Sequence, residues 1–343
     1  MKPCEVSDVK MKNAVLGMAV IGSLLVSALL LAGCGAGGAR SAAPQGPIHV
    51  LPGAKSGRAD STVISLNAVT LPPALKERLA KGIQVYSLRY WSRGQRAQAY
   101  LGVPTSKGKH ALYIQLHGGD IFGQSVHWGG PGPVTLSVVV GYALPGVVSF
   151  FPNYLGYGLS DGVPGDPAQD FRDVQNGLVA LAHISGMNVA AHRTYLQSYS
   201  MGGDVAMMLA ASDPDVRAVE MISPYPGARI MMLWMDKVGQ AALTADDLID
   251  RTTMISQHGT NISSAWYKDN SFDSAKVHAP VLIIGGLSDP GFPPGLLQFM
   301  ASTLRKSGVE VALRLFPGGH GPASPPVIAE EINWLRAQGL VPQ

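Results

Sequence analysis

The stretch Gln197-Ser198-Tyr199-Ser200-Met201-Gly202-Gly203 decides the fold. Before it, Ala190-Ala191-His192-Arg193-Thr194-Tyr195-Leu196 reads as a short buried strand; after it, Asp204-Val205-Ala206-Met207-Met208-Leu209-Ala210-Ala211 reads as a helix. The order is strand, tight turn with a serine at its tip, helix. A turn this sharp holds its central residue in strained geometry, needs small neighbours, and lifts the serine hydroxyl clear of the sheet. The usual pattern is Gly-x-Ser-x-Gly; here it is Ser198-x-Ser200-x-Gly202, so a serine stands where glycine is expected. Ser200 is the candidate nucleophile, provided the chain supplies its partners.

A serine hydroxyl is a poor nucleophile at neutral pH. A histidine must take its proton, and a carboxylate must fix that histidine's tautomer and stabilise the imidazolium. Asp289 lies in Gly285-Gly286-Leu287-Ser288-Asp289-Pro290, just past an apolar strand, and His320 lies in Phe316-Pro317-Gly318-Gly319-His320-Gly321 after the strand Val309 to Phe316. Both fall at the C-terminal edge of a parallel sheet, where ligands bind in such folds. The order Ser, Asp, His is the one that strand-turn-helix hydrolases follow. Asp273 and His278 precede their strand, His258 falls in an insertion, and Asp204 fits a helix N-terminus, where a carboxylate meets the positive end of the dipole. The oxyanion of a tetrahedral intermediate needs amide donors already in place. The N–H of Met201, next to the nucleophile, is one; Gly119, in His117-Gly118-Gly119-Asp120, is preferred as the other. His117 reads as a residue that shapes this turn, and His127, beside Trp128, as either a pocket wall or packing on that ring.

Ala111 to Leu116, Gly146 to Phe151 and Pro280 to Gly285 are near-continuous apolar runs, the mark of strands covered on both faces. Helical patterns fall at about 134–144, 167–185 and 203–212. Ahead of them, Ile83 to Trp91 and Arg96 to Pro104 alternate about Ser92-Arg93-Gly94-Gln95 and predict an antiparallel hairpin. The fold class is α/β, a mostly parallel central sheet flanked by helices with an antiparallel N-terminal hairpin. Residues 228–272 break the alternation and predict a helical cap insertion. Its run Ile230-Met231-Met232-Leu233-Trp234-Met235 is either core or a deformable apolar wall of the site. Gly156-Tyr157-Gly158 lacks the helix and spacing of a dinucleotide fingerprint. Asp170 and Asp173 share a helix face and read as solvated or as helix-start caps.

The chain has 343 residues, 46% hydrophobic and 14% charged, which excludes disorder and is ample for a buried core. Its formal charge of +3 is scattered and asks for no nucleic acid. The two cysteines, Cys4 and Cys34, precede the globular region, so no disulfide or thiolate metal site is expected in the body. No cofactor and no metal are expected. Residues 14–32 are uncharged, with Lys10 and Lys12 just before them, as in an export signal or an anchoring helix. Leu31-Ala32-Gly33-Cys34 resembles the lipobox of bacterial lipoproteins. That resemblance implies cleavage before Cys34, acylation of Cys34, and an exported, lipid-anchored protein of the cell envelope. The expected organisation is a signal at 1–33, a Gly/Ala/Pro/Ser-rich tether at 34–61, and one domain at 62–343.

Together, His117-Gly118-Gly119, Asn153-Tyr154-Leu155-Gly156-Tyr157-Gly158-Leu159-Ser160, Ser198 to Gly203, Asp289 and His320 resemble the α/β-hydrolase superfamily over roughly residues 83–340. Within it they are similar to prolyl-oligopeptidase-like catalytic domains and to secreted esterases and lipases. The resemblance implies a serine hydrolase working through an acyl-enzyme and no particular substrate; the order Ser, Asp, His and the Met-rich insertion lead us to expect a small-molecule carboxylic ester. The alternatives are a short-peptide substrate, as in the oligopeptidase-like group, and a ligand-binding surface lipoprotein without chemistry. No convincing Glu-Glu pair for a peptide amine is present; Glu330-Glu331 lies in the last helix.

Overall fold

The structure, a computed structural model, describes residues 60–122 and 134–341. The expected signal, Cys34 and the expected tether up to residue 59, together with His127 and Trp128, lie outside the described residues. The chain begins with β1 (Val63–Ala68), a short α1 (Pro73–Arg78), and the hairpin β2 (Ile83–Ser92) and β3 (Gln95–Pro104). It continues through β4 (His110–Leu116), α2 (Leu136–Tyr142), β5 (Val147–Asn153), α3 (Pro167–Ala182), β6 (Val189–Tyr199) and α4 (Gly202–Ser212). After β7 (Val216–Ile222) come α5 (Ala228–Val238), α6 (Ala245–His258) and α7 (Ala265–Asp269). Then β8 (Val281–Gly286), α8 (Pro294–Lys306), β9 (Val311–Phe316) and α9 (Pro325–Ala337) complete the domain.

All nine strands form one sheet in the order β1-β2-β3-β5-β4-β6-β7-β8-β9. The pairs from β1 to β5 are antiparallel, and from β5 to β9 all are parallel. The hairpin turns as expected: Ser92 pairs with Gln95, and Arg93 and Gly94 both take positive φ, the geometry that matches strand twist in two-residue turns. Two strands have no counterpart in the sequence reading. β1 is a short edge strand, and β7 carries Arg217 and Glu220 inside its apolar run.

The central strands are covered on both faces. Leu112, Ile114 and Leu116 of β4 join the main core with α3, α4 and α8 residues, while Ala111 and Tyr113 face Leu335 of α9. Because β4, β6, β7, β8 and β9 run parallel, the loops that leave their C-terminal ends gather at one edge. The insertion between β7 and β8 is helical, as expected. Met231, Met232 and Met235 are buried in the main core with Leu296 and Met300 of α8, which favours the core reading of these methionines; Leu233 faces outward. Asp166 fastens the insertion to α3: it caps that helix through Gln169 N–H (3.0 Å) and also accepts from Trp266 Nε1 (3.1 Å) and Asn270 Nδ2 (3.2 Å).

Asp170 and Asp173 are neither solvated nor the cap. Both are fully buried. Asp173 accepts from Ser92 Oγ (2.6 Å), from Arg93 Nε and Nη2 (3.0 Å each) and from Leu155 N–H (2.9 Å), tying the hairpin turn to the loop after β5. The i, i+3 spacing identifies a shared helix face but not that it is the inward one.

Candidate active site

Ser200 sits between β6 and α4 with φ +54°, in the left-handed region that a non-glycine residue enters at a cost of order 1–3 kcal/mol. The turn is held by Ser200 N–H to Ile222 O (3.0 Å), and by Gly203 N–H and Tyr225 N–H, both donating to Ser200 O (2.9 and 2.8 Å). Gly202 is required by proximity: a Cβ there would lie 2.6 Å from Leu116 O and 2.7 Å from His117 O, both backbone atoms. Ser198, the departure from the usual glycine, is fully buried in β6 and its hydroxyl finds Glu220 O at 3.4 Å.

The loops after β8 and β9 bring Asp289 and His320 to this turn. His320 Nε2 lies 3.0 Å from Ser200 Oγ, and His320 Nδ1 lies 3.0 Å from Asp289 Oδ2. The Asp289 side chain is wholly buried and that of His320 is 31% exposed, so the chain of three runs from the interior to an accessible hydroxyl. Asp289 Oδ1 also accepts Gly291 N–H and Phe292 N–H, each at 3.0 Å. Burial alone would push this carboxyl up. The hydrogen bond and charge of His320, the Phe292 N–H and the Ser223 hydroxyl outweigh it and hold the carboxyl below the usual range. Ser223, after β7, takes a positive φ and accepts Gly321 N–H at 2.9 Å, so it buttresses both loops. The Phe292 ring stands edge-on to His320 at 5.4 Å.

Opposite Ser200, the His117-Gly118-Gly119-Asp120 turn leaves β4. His117 Nδ1 lies 2.6 Å from Gly118 O, its ring stacks on Tyr154 (4.0 Å), and burial pushes its pKa down to about 4. It is therefore a neutral shaping residue at physiological pH, as the sequence suggests. A Cβ at Gly119 would come within 2.6 Å of Met201 Cε, which places this turn against the residue after Ser200. Among the described residues neither the Gly119 nor the Met201 amide finds an acceptor.

The rival residues lie elsewhere. His258 stacks on Trp266 at 3.5 Å in the inserted helices, and Asp273 caps a short turn before β8. Asp204 does begin α4, but its carboxyl is fully buried and among the described residues has no hydrogen-bond partner; burial, then Asp166, push that carboxyl well up, which counts against an anion on the helix dipole. Tyr157, Ser223 and Phe292 were not legible as site residues, since each reaches the site from a loop placed only by the sheet order. Among the described residues no group of three or more His, Cys, Asp or Glu could hold a metal ion.

This fold is the α/β-hydrolase fold. Acetyl xylan esterase 1 from Thermoanaerobacterium sp. superposes with a TM-score of 0.54 at 17% identity, over 80% of this chain and 87% of that one. An acetyl xylan esterase from Paenibacillus sp. R4 gives 0.56 at 16% identity, over 96% of both chains. The acylaminoacyl peptidase of Pyrococcus horikoshii gives 0.60 at 18% identity, over 80% of this chain but only 45% of the peptidase. No protein-family model and no curated protein matches the chain.

Proposed function

We propose that the protein is a serine hydrolase that cleaves carboxylic esters through an acyl-enzyme. The observation that carries this is the unbroken chain Ser200 Oγ, His320 Nε2, His320 Nδ1, Asp289 on a strained turn. Ser200 Oγ attacks the ester carbonyl as its proton passes to His320 Nε2. The charge developing on the carbonyl oxygen meets the N–H groups of Gly119 and Met201. Collapse expels the alcohol, which takes the proton from His320, and water then attacks the acyl-enzyme by the same route in reverse order. Asp289, held ionised, keeps the Nδ1–H tautomer and stabilises the imidazolium. The fold shared with acetyl xylan esterases supports an ester substrate. Likeness to the acylaminoacyl peptidase supports a second reading, a peptidase, although this chain spans less than half of that enzyme's length.

Short aryl esters of graded acyl length, run beside matched peptide anilides, separate the two readings. Ester turnover that Ser200→Ala abolishes supports the first; turnover of anilides alone supports the second; neither, in folded protein, leaves a binding protein. For the N-terminal region we propose export and lipid anchoring through Cys34, supported by residues 14–32 and Leu31 to Cys34. Metabolic labelling with an alkyne fatty acid tests it, with Cys34→Ala expected to lose the label.

A further inference from the structure

Tyr154 and Tyr157 both leave the end of β5 on a loop shaped by glycines, and both end on the turn opposite Ser200. Gly156 takes φ +86°, and a Cβ there would lie 2.1 Å from Pro164 N, so the loop folds back on itself and only glycine fits. This fold-back sends the two rings the same way. Tyr154, fully buried, donates its hydroxyl to His117 O at 3.1 Å. Tyr157, also buried, accepts Asp120 N–H at 2.8 Å. The His117 ring lies between them, stacked on Tyr154 and edge-on to Tyr157 at 4.9 Å. The turn is thus gripped at its first carbonyl and its last amide, with Gly118 and Gly119 between the two grips.

We propose that Tyr157, with Tyr154, is the positioning pair of the oxyanion turn: by taking up Asp120 N–H it leaves the Gly119 N–H as the amide presented to the reacting carbonyl. The inference rests on the proposed hydrolase function. Three adjacent amides, those of Gly118, Gly119 and Asp120, could otherwise compete to face an oxyanion, and a glycine pair would let the turn rotate among them. The Tyr157 oxygen is also close enough to restrict Gly119, since a Cβ there would meet it at 2.5 Å. Burial, then the charge of Asp170, push the phenol up, so the grip does not open by ionisation at ordinary pH. The loop is itself tied down behind the two rings, through Leu155 N–H on Asp173 and Gly156 N–H on Asp161 O (2.8 Å).

The test compares Tyr157→Phe with wild type in the full-length protein, on a short aryl ester and on a boronic acid that mimics the tetrahedral intermediate. Removing an oxyanion donor outright costs about 10²–10³ in kcat, and a donor that is misplaced rather than removed should cost roughly 10–100-fold. The expected result is that fall in kcat, KM within about twofold, and boronate affinity weakened in proportion, because the amide acts on the transition state and not on the ground state. A merely structural tyrosine would lower the melting temperature and leave kcat and boronate affinity of the folded fraction unchanged. That outcome, or a loss confined to KM, overturns the inference. Should Tyr157→Phe not fold, Tyr154→Phe loosens the other end and is expected to give the same pattern. If wild type itself neither turns over esters nor takes a fluorophosphonate, the hydrolase reading falls and the inference with it. If wild type does both and the variants match it, only the inference falls.

Discussion

His117 offers the sharpest link between sequence position, burial and a measurable quantity. Its imidazole is buried, its pKa is pushed from 6.5 down to about 4, and the carbonyl of Gly118 offsets only part of the desolvation. The unfolded chain therefore binds a proton here that the folded chain refuses. Between those two values stability falls as pH falls, and above the unfolded value the contribution is fully present. At about pH 5 the difference amounts to about 2 kcal/mol relative to neutral pH, and it approaches about 3 kcal/mol near pH 4. His117→Asn keeps a side-chain N–H for Gly118 O and removes the titration. It loses ring stacking on Tyr154, but that loss does not depend on pH. Thermal unfolding of both proteins at about pH 7.5 and about pH 5 should show the gap between them narrowing by roughly 4–8 °C at the lower pH. The difference between proteins is the quantity to read, because buried carboxyls such as Glu220 act in the opposite direction. A gap that is the same at both pH values would refute the reasoning.

Other consequences can be checked alongside. Glu220, in the middle of β7, is pushed well up by burial and then by Glu331 and Glu330, so it stabilises when protonated and loses that contribution as pH rises. Glu220→Gln should equal wild type near pH 4.5 and exceed it near pH 8 in urea midpoint; a variant weaker at the higher pH contradicts this. Gly202→Ala, whose methyl would meet two backbone oxygens, is expected to cost about 1–3 kcal/mol in denaturant unfolding and to depress activity with it. Ser198→Gly gives up a buried Cβ and a long hydroxyl contact, a cost to stability, but restores the usual pattern of the turn, so kcat of the folded protein should stay within about threefold of wild type.

Much of this architecture is legible in the sequence. The hairpin announced itself by alternation and by Arg93-Gly94, and the uninterrupted apolar runs of β4, β5 and β8 could only be strands buried on both faces. The placing of Ser200, Asp289 and His320 after separate strands of one parallel sheet foretells that the three meet, because parallel strands deliver their C-terminal loops to one edge. What escaped reading did so for physical reasons. β7 is broken by Glu220, a residue that argues against a central strand; burial, then Glu331 and Glu330, push its carboxyl well up, which favours the uncharged form that an interior strand can carry. Asp173 looked like a solvated helix residue, since nothing local reveals that Arg93, eighty positions earlier in the chain, comes to meet it. Tyr157 and Ser223 act through single hydroxyls on loops, and their roles exist only once the sheet order is known.

If Ser200 is an activated nucleophile, a fluorophosphonate bonds there and nowhere else on the folded chain. Intact-mass and peptide measurements on wild-type protein should find about one adduct per chain, on the peptide that carries Ser200, with labelling slowed at least about 10³-fold in His320→Ala. No adduct on folded wild-type protein, an adduct on another residue, or equal labelling without His320 would contradict the account.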